Sequence, residues 1–345
     1  MRIRLSLYRR TPSFHSLYGL LWWTAFVWSG IGRGYAFFCP QPNDKRAMST
    51  EAKPFLKWAG GKGQLLSQLA AYLPQKISEE PFTYIEPFVG GGAMLFYMLQ
   101  HFGNIQKTVI NDVNEDLILT YRIIKDDVES LIANLDRLEK YYLNITDQDV
   151  RSQIFYEVRE RYNQHIGDNI ERASQLMFLN KTCFNGLYRV NRRDQFNVPF
   201  GKYANPTICN AKLLRADSQL LQSAQVEIYQ GDYTQTIQHI DGLTFVYLDP
   251  PYRPLDTTSS FTAYAKGDFN DNDQRALATF CRQLNDVGCY WMESNADCSA
   301  KNHEDTFFEE LYKDYQIERV YASRFINANP EKRGKLTELL IKNYE

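Results

Sequence analysis

Leu243-Thr244-Phe245-Val246-Tyr247-Leu248-Asp249-Pro250-Pro251-Tyr252 is an apolar, β-branched and aromatic run that halts in an acid, two prolines and a ring. The first six residues read as a buried strand. Neither proline can donate a backbone hydrogen bond, so a sheet ladder cannot continue through them. What remains at the strand's carboxyl end is a carboxylate, free carbonyls and a flat ring on a stiff loop. In open α/β sheets ligands bind at that end. A lone Asp-Pro would read as a strand-ending turn. The whole tetrapeptide after a strand points to a functional site.

Upstream, Phe82-Thr83-Tyr84-Ile85-Glu86 reads as a strand. It runs into Pro87-Phe88-Val89-Gly90-Gly91-Gly92 and the apolar Ala93-Met94-Leu95-Phe96-Tyr97-Met98-Leu99, giving strand, glycine turn, helix. A second strand, Thr108-Val109-Ile110, is closed by Asn111-Asp112. Asp112 stands 20 positions after Gly92, where a Rossmann-type unit places the acid that binds ribose hydroxyls. The third fingerprint glycine would fall at Leu95 and is missing. That disfavours a dinucleotide, and with it a NAD-dependent dehydrogenase. A cofactor with an adenosine but no pyrophosphate fits better. Further upstream, Lys53-Pro54-Phe55-Leu56-Lys57-Trp58-Ala59-Gly60-Gly61-Lys62-Gly63 offers a stacking face at Trp58 and a cation at Lys62. It lacks the GxxxxGK[ST] spacing of a phosphate loop, which argues against a nucleoside triphosphatase. Residues 64–73 form an amphipathic run, expected to be a helix stopped by Pro74.

These three segments together resemble the DNA adenine-N6 methyltransferases of the Dam/DpnM type (D12 class, α-type motif order). Phe55-Leu56-Lys57-Trp58-Ala59-Gly60-Gly61-Lys62, Glu86-Pro87-Phe88-Val89-Gly90-Gly91-Gly92 and Asp249-Pro250-Pro251-Tyr252 match the family's core motifs in the family's order. The resemblance runs from about Lys53 to the C-terminus. It implies a Rossmann-like α/β sheet with an inserted helical recognition domain and a β-hairpin. It also implies S-adenosylmethionine as methyl donor, double-stranded DNA as substrate and no metal. Carried over residue by residue, Trp58, Lys62, Phe88, Gly90, Gly92, Asp112 and Asp249 would contact the cofactor, with Asp112 on the ribose. Asp249, Pro250 and Tyr252 would act on the target base.

Residues 115–180 are rich in helix formers, with apolar spacing at Leu117, Tyr121 and Ile124 and again at Ile154, Phe155 and Val158. They read as a helical insertion. Residues 178–203 interleave Arg189, Arg192 and Arg193 with aromatics, Asn and Gly, which suits a β-hairpin on DNA tipped by Arg192-Arg193-Asp194. Composition alone suits a surface hairpin equally well. The resemblance favours the reader: Asn-Gly-Leu-x-Arg and Phe-Asn-Val-Pro-Phe-Gly-x-Tyr look like the family's GATC-reading segment. By it Arg189 would read the guanine, with Asn185, Leu187, Pro199 and Tyr203 supporting base contacts. Phe261-Thr262-Ala263-Tyr264 also matches and would close over the site. Residues 272–286 read as a helix, Cys289–Met292 as a strand ending at Glu293-Ser294-Asn295, and Arg333-Gly334-Lys335 as the join of a last hairpin with Leu339-Leu340-Ile341 as its returning strand. The expected domains are 48–118 with 207–345 for catalysis and 119–206 for target recognition.

Residues 1–47 stand apart. A basic start and the apolar Leu17–Trp28 imitate a signal peptide, but the run is short for a membrane span and no small-x-small cleavage site follows. Translation starting at Met48 is the preferred expectation, and the segment is excluded from the fold. Of 39 Lys/Arg and 41 Asp/Glu, seven and one lie in 1–47, so the remainder carries eight more acids than bases. A polyanion must therefore meet a local basic patch. The six cysteines form no CxxC pair, which suggests free thiols in a reducing, cytoplasmic setting. A monomer is expected, with a cognate restriction endonuclease acting on the same site as a further partner. The rivals are methyl transfer to another amide-like nitrogen (cytosine N4, an RNA base, a glutamine side chain) and a non-catalytic DNA-binding regulator. Asp249, where such enzymes often carry Ser or Asn, opposes the first, and Asp249, Tyr252 and the glycine loop together oppose the second.

Overall fold

The computed structural model describes residues 51–58, 60–253, 269–323 and 335–345. By contacts the chain divides into 1–47 and 48–345, and the described residues all lie in the second unit. Helices α1 (Leu66–Ala70) and α2 (Lys76–Glu79) lead to β1 (Phe82–Glu86), α3 (Ala93–His101) and β2 (Ile105–Asp112). Five helices follow: α4 (Glu115–Asp126), α5 (Val128–Leu143), α6 (Gln148–Asn163), α7 (Asn169–Thr182) and α8 (Ala211–Ser223). Then come β3 (Glu227–Gln230), β4 (Thr244–Leu248), α9 (Asp271–Asp286), β5 (Tyr290–Ala296), α10 (Phe307–Leu311), β6 (Gln316–Ser323) and β7 (Lys335–Lys342). No described helix is long and apolar enough to cross a membrane.

The strands make one seven-stranded sheet in the order β3-β2-β1-β4-β5-β7-β6. All neighbours run parallel except β7, which is antiparallel to β5 and β6. The chain winds outward through β1, β2 and β3, then returns to lay β4 against the other side of β1. That reversal opens a crevice beyond the carboxyl ends of β1 and β4, where doubly wound sheets bind ligands. The mixed α/β architecture is the one the motifs implied.

Period-two alternation splits the core into two layers. Tyr84, Ile110, Phe245, Tyr247, Met292 and Leu340 face a cluster shared with α3, α4, α5, α7 and α8. Ile85, Val109, Val246, Leu248, Trp291, Leu339 and Ile341 face a second cluster with α9 and α10. Both faces are covered, which is why β1 and β4 are buried along their whole length and read as continuous apolar runs. Side-chain caps start the longer helices: Asn114, Asp127, Asp147 and Asn210 accept first-turn N–H groups, and Asp168 and Asn270 form capping boxes with Glu171 and Asp273.

Three local expectations change. The run 64–73 is not one helix: a 3₁₀ turn at Lys62–Gln64 precedes a short α1, and that turn carries the Lys62 side chain inward. Strand β2 is longer than its apolar centre, because Asn111 and Asp112 pair with Tyr229 and Gln230 of β3. The segment 178–203 is no regular hairpin. Its first residues finish α7, and the remainder is tied by two isolated antiparallel bridges, Cys183 to Phe200 and Val190 to Phe196. Left-handed backbone at Asn185, Gly186, Asp194 and Lys202 interrupts any longer ladder. Arg192-Arg193-Asp194 does form the tip, turned by Asn191, whose side-chain oxygen accepts from Arg193 and Gln195 N–H. Phe261–Tyr264 and Arg333-Gly334 lie outside the described residues.

Candidate active site

A cleft of about 1350 Å³ opens beyond the carboxyl ends of β1, β2 and β4. Each of these strands delivers one acid to its wall: Glu86, Asp112 and Asp249. Trp58, Lys62, Phe88, Gly90 and Gly92 line it from the N-terminal motifs, and Pro250 and Tyr252 from the tetrapeptide. Asn185 and Leu187 reach its rim from the arginine-rich segment. Arg189, Pro199 and Tyr203 do not line it.

The glycine turn approaches its neighbours too closely for any side chain. Gly90 and Gly92 have φ of +47° and +74°, values that L residues rarely adopt. A Cβ at Gly90 would lie 2.9 Å from Trp58 Cδ1, and one at Gly92 2.3 Å from the Tyr121 hydroxyl. The Gly90 N–H donates to Asp112 Oδ2 at 3.0 Å, and the Asn114 N–H to Oδ1 at 2.9 Å. These two donors aim the carboxylate across the turn. Burial still raises the Asp112 carboxyl above its ordinary range, against the pull of those N–H groups. Glu86 is raised well above the carboxylate range by burial, with Asp249 and Asp112 adding repulsion, while the Tyr84 hydroxyl donates to it at 2.7 Å.

Lys62 faces this acidity. Its side chain is 3% exposed, and its ammonium lies 2.8 Å from Asp249 Oδ1. It also donates to the Tyr252 hydroxyl at 2.5 Å and the Gly60 carbonyl at 3.0 Å. The Tyr252 hydroxyl donates in turn to Glu338 Oε2 at 2.6 Å, and that carboxylate is 3.5 Å from the ammonium. Lys62 thus sits between two acids and over a ring whose centroid is 4.4 Å away. Burial lifts Asp249 to about 6, with the Lys62 charge and hydrogen bond holding it down and Glu338 pushing it up.

The arginine-rich segment is fastened to the loop that carries Lys57 and Trp58. Asn180 of α7 accepts the Lys57 N–H at 3.0 Å and donates to the Lys57 carbonyl at 2.8 Å and the Gly186 carbonyl at 3.1 Å. Tyr188 stacks on Trp58 with centroids 4.6 Å apart and rings 19° from parallel, and its hydroxyl accepts from Asn114 at 3.0 Å. Trp58 therefore presents one ring face to Tyr188. Asn163 of α6 brackets Phe196, accepting its N–H at 2.8 Å and donating to its carbonyl at 3.1 Å. The buried Arg151 holds the Tyr203 and Ala204 carbonyls. Arg189 commits two N–H groups to Asn197, at 2.7 Å to Oδ1 and 3.4 Å to the carbonyl, out of the five a guanidinium carries.

Sequence reasoning missed Glu338, which holds Tyr252, and gave Glu86 no role beyond its motif. It also stopped β5 at residues that prove fully buried, Glu293, Ser294 and Asn295. Glu86 ends β1, and Glu293 and Glu338 lie within β5 and β7, strands whose other residues include several core side chains.

Residues 58–326 match the family model of the D12 class N6 adenine-specific DNA methyltransferases. The chain is 47% identical over 298 residues to the Type II methyltransferase M.MjaIII of Methanocaldococcus jannaschii, covering 85% of this chain and 100% of that protein. It is 38% identical over 297 residues to the Type II methyltransferase M1.LlaDCHI of Lactococcus lactis subsp. cremoris (85% and 95%). It is 32% identical over 289 residues to the DNA adenine methylase of Haemophilus influenzae (84% and 92%).

Proposed function

Because this chain belongs to the D12 class of N6 adenine-specific DNA methyltransferases, we propose that it methylates adenine N6 within GATC, using S-adenosylmethionine. One observation carries the chemistry: Asp249 and the rigid Pro250 carbonyl stand side by side at the end of β4, on the wall of an acidic cleft. Adenine's exocyclic nitrogen is a poor nucleophile, since its lone pair is delocalised into the ring. An acid and a carbonyl that each accept one N6 hydrogen turn that lone pair toward the methyl donor. Orientation of this kind is worth effective molarities of ~10⁵ M or more. The ionised Asp249 also offsets the positive charge that builds on N6, and no strong base is needed because methylated N6 is acidic. Tyr252 stacks on the base. The base must leave the duplex to reach this wall, at a cost of roughly a few kcal/mol.

The donor set fits the cofactor by charge. S-adenosylmethionine carries a sulfonium and an ammonium, and supplies the methyl group when bound. Burial has raised the Glu86, Asp112 and Asp249 carboxyls in the same cleft, so a cationic ligand there is favoured. Asp112 takes the ribose hydroxyls, Trp58 and Phe88 flank the cofactor, Lys62 steadies Asp249, and Gly90 and Gly92 admit close backbone approach. In this reading 48–118 with 207–345 is the catalytic domain and 119–206 the recognition domain. GATC rests on the Asn185–Arg189 and Phe196–Tyr203 segments, with Arg189 on the guanine and Asn185, Leu187, Pro199 and Tyr203 about the neighbouring bases. The Type II names of two relatives support a cognate restriction endonuclease as partner. The enzyme is taken to act as a monomer.

The test incubates the protein with labelled S-adenosylmethionine and duplex DNA, then challenges the product with nucleases that differ in sensitivity to adenine methylation within GATC. Label on N6-methyladenine with protection confined to GATC is the expected outcome. Label elsewhere, or at another sequence, refutes the assignment. Asp249→Ala should abolish transfer, and near-normal turnover by that variant would remove Asp249 from the chemistry.

A further inference from the structure

Two consecutive prolines fix φ at positions 250 and 251 but leave ψ open. The ψ of Pro251 aims the Tyr252 ring and hydroxyl. Neither proline has an N–H through which the loop could be pinned, so its carbonyls must serve. Gln274 of α9 meets this need: its side-chain amide donates to the Pro251 carbonyl at 3.1 Å.

Behind Gln274 runs a chain of buried polar groups. Asn295 Nδ2 donates to Gln274 Oε1 and to Glu293 Oε1, both at 3.0 Å. Asn295 Oδ1 accepts the Ala296 N–H at 2.9 Å. On the far oxygen, Glu293 Oε2 accepts from the Tyr312 hydroxyl at 2.5 Å and from Cys281 Sγ at 3.7 Å. Gln274, Cys281, Glu293, Asn295 and Tyr312 are all 0% exposed. Strand register sets the chain directly behind the motif, since Glu293 of β5 pairs with Leu248 of β4, the residue before Asp249.

The donor direction of this chain is set at its middle. Asn295 Oδ1 is taken by the Ala296 N–H, so Asn295 must turn its NH₂ toward Glu293 and Gln274. Its second N–H then meets an acceptor, which forces Gln274 to present Oε1 to it and NH₂ to Pro251. Burying an acid and two amides costs stability unless every group is bonded, and an apolar core of the same volume is often no worse. None of these groups touches the cleft. We infer that Glu293, acting through Asn295 and Gln274, is a positioning device that holds the Pro251 carbonyl and so aims the Tyr252 ring at the target base. This rests on the reaction proposed above and adds to it a set of residues outside the active-site wall.

The test uses the full chain and three variants: Gln274→Met, which keeps length and removes the donor; Glu293→Gln, which keeps shape and removes the charge; and the pair together. Methyl transfer is read as kcat, and dissociation constants for S-adenosylmethionine and a GATC duplex are measured in parallel. Each single change should lower kcat roughly 10- to 100-fold with both dissociation constants within about twofold of wild type. The double variant should be no slower than the slower single one, because both changes remove the same bond. Multiplicative losses, or a folded Gln274→Met with wild-type kcat, overturn the inference, and the second criterion holds even if Glu293→Gln fails to fold. A wild-type chain that leaves adenine unmethylated overturns the reaction itself, so the two failures are distinguishable.

Discussion

Replacing Lys62 with Met should move the acid limb of activity toward alkaline pH. The ammonium lies 2.8 Å from Asp249, and both side chains are largely sequestered, at 3% and 19% exposure. Coulomb's law at that separation with an effective dielectric of 20 gives an upper scale of about 6 kcal/mol. An opposite charge at such range typically lowers a carboxyl by about 1–3 pKa units. Asp249 stands at about 6 with Lys62 present. Without it the value should reach ~7–9. In the proposed reaction the ionised carboxylate is the strong acceptor for an N6 hydrogen and the one form that offsets positive charge on N6, so activity should rise as pH passes through this pKa, and a higher pKa should shift the rise upward. At pH 7.5 the ionised fraction would fall from nearly all to between about three quarters and about a thirtieth. The assay is kcat against pH from 5.5 to 9.5 at saturating DNA and S-adenosylmethionine, for wild type and Lys62→Met. Recovery of the variant at high pH is the expected result. An acid limb that stays in place, or a loss that alkaline pH does not repair, would refute the claim that Lys62 keeps Asp249 ionised.

Glu338→Gln should shift the same limb the opposite way. It removes the repulsion that pushes Asp249 up while leaving an acceptor for the Tyr252 hydroxyl, so a limb at higher pH would contradict the geometry. Gly92→Ala combines a left-handed backbone, worth about 1–2 kcal/mol, with overlap against the buried Tyr121 hydroxyl, worth about 1–3 kcal/mol. Urea titration should show a loss of about 2–5 kcal/mol, and a loss under ~1 kcal/mol would mean that the turn tolerates a side chain. Arg189→Ala should relax discrimination at the guanine by about 1–3 kcal/mol, read as methylation of GATC against single-base variants. Unchanged ratios would take Arg189 out of sequence reading.

How far the sequence could be read depends on whether a partner is local. The placement of the tetrapeptide, the glycine turn and Asp112 at one cleft was legible because each lies within one strand and its following turn. Strands β1 and β4 were legible because their residues are mostly apolar, β-branched or aromatic. Glu338 was not, for 86 residues separate it from Tyr252, and only the insertion of β7 between β5 and β6 brings that part of the chain beside the motif. The Glu293 chain was hidden the same way: the strand was expected to end at Glu293-Ser294-Asn295, whereas β5 carries these residues buried as far as Ala296. The arginine-rich segment misled for another reason. Its composition suits a hairpin, but side chains from α6 and α7 take over the pairing that a second strand would supply.

One signal connects the missed residues. Glu86 and Glu293 are fully buried acids on β1 and β5, and Glu338 is a largely sequestered one on β7, placements that cost stability unless the acid is bonded or paired. With Asp112 and Asp249 they make five carboxylates at or behind one cleft, and Lys62 is bonded to two of them. A neutral ligand would leave that imbalance as it stands. A cationic methyl donor would relieve it, so its binding should tighten as the cleft carboxyls ionise. For that reason the acids of the strand ends say more about what enters this cleft than the glycine turn does. The turn shows only the close approach of Trp58 and Tyr121.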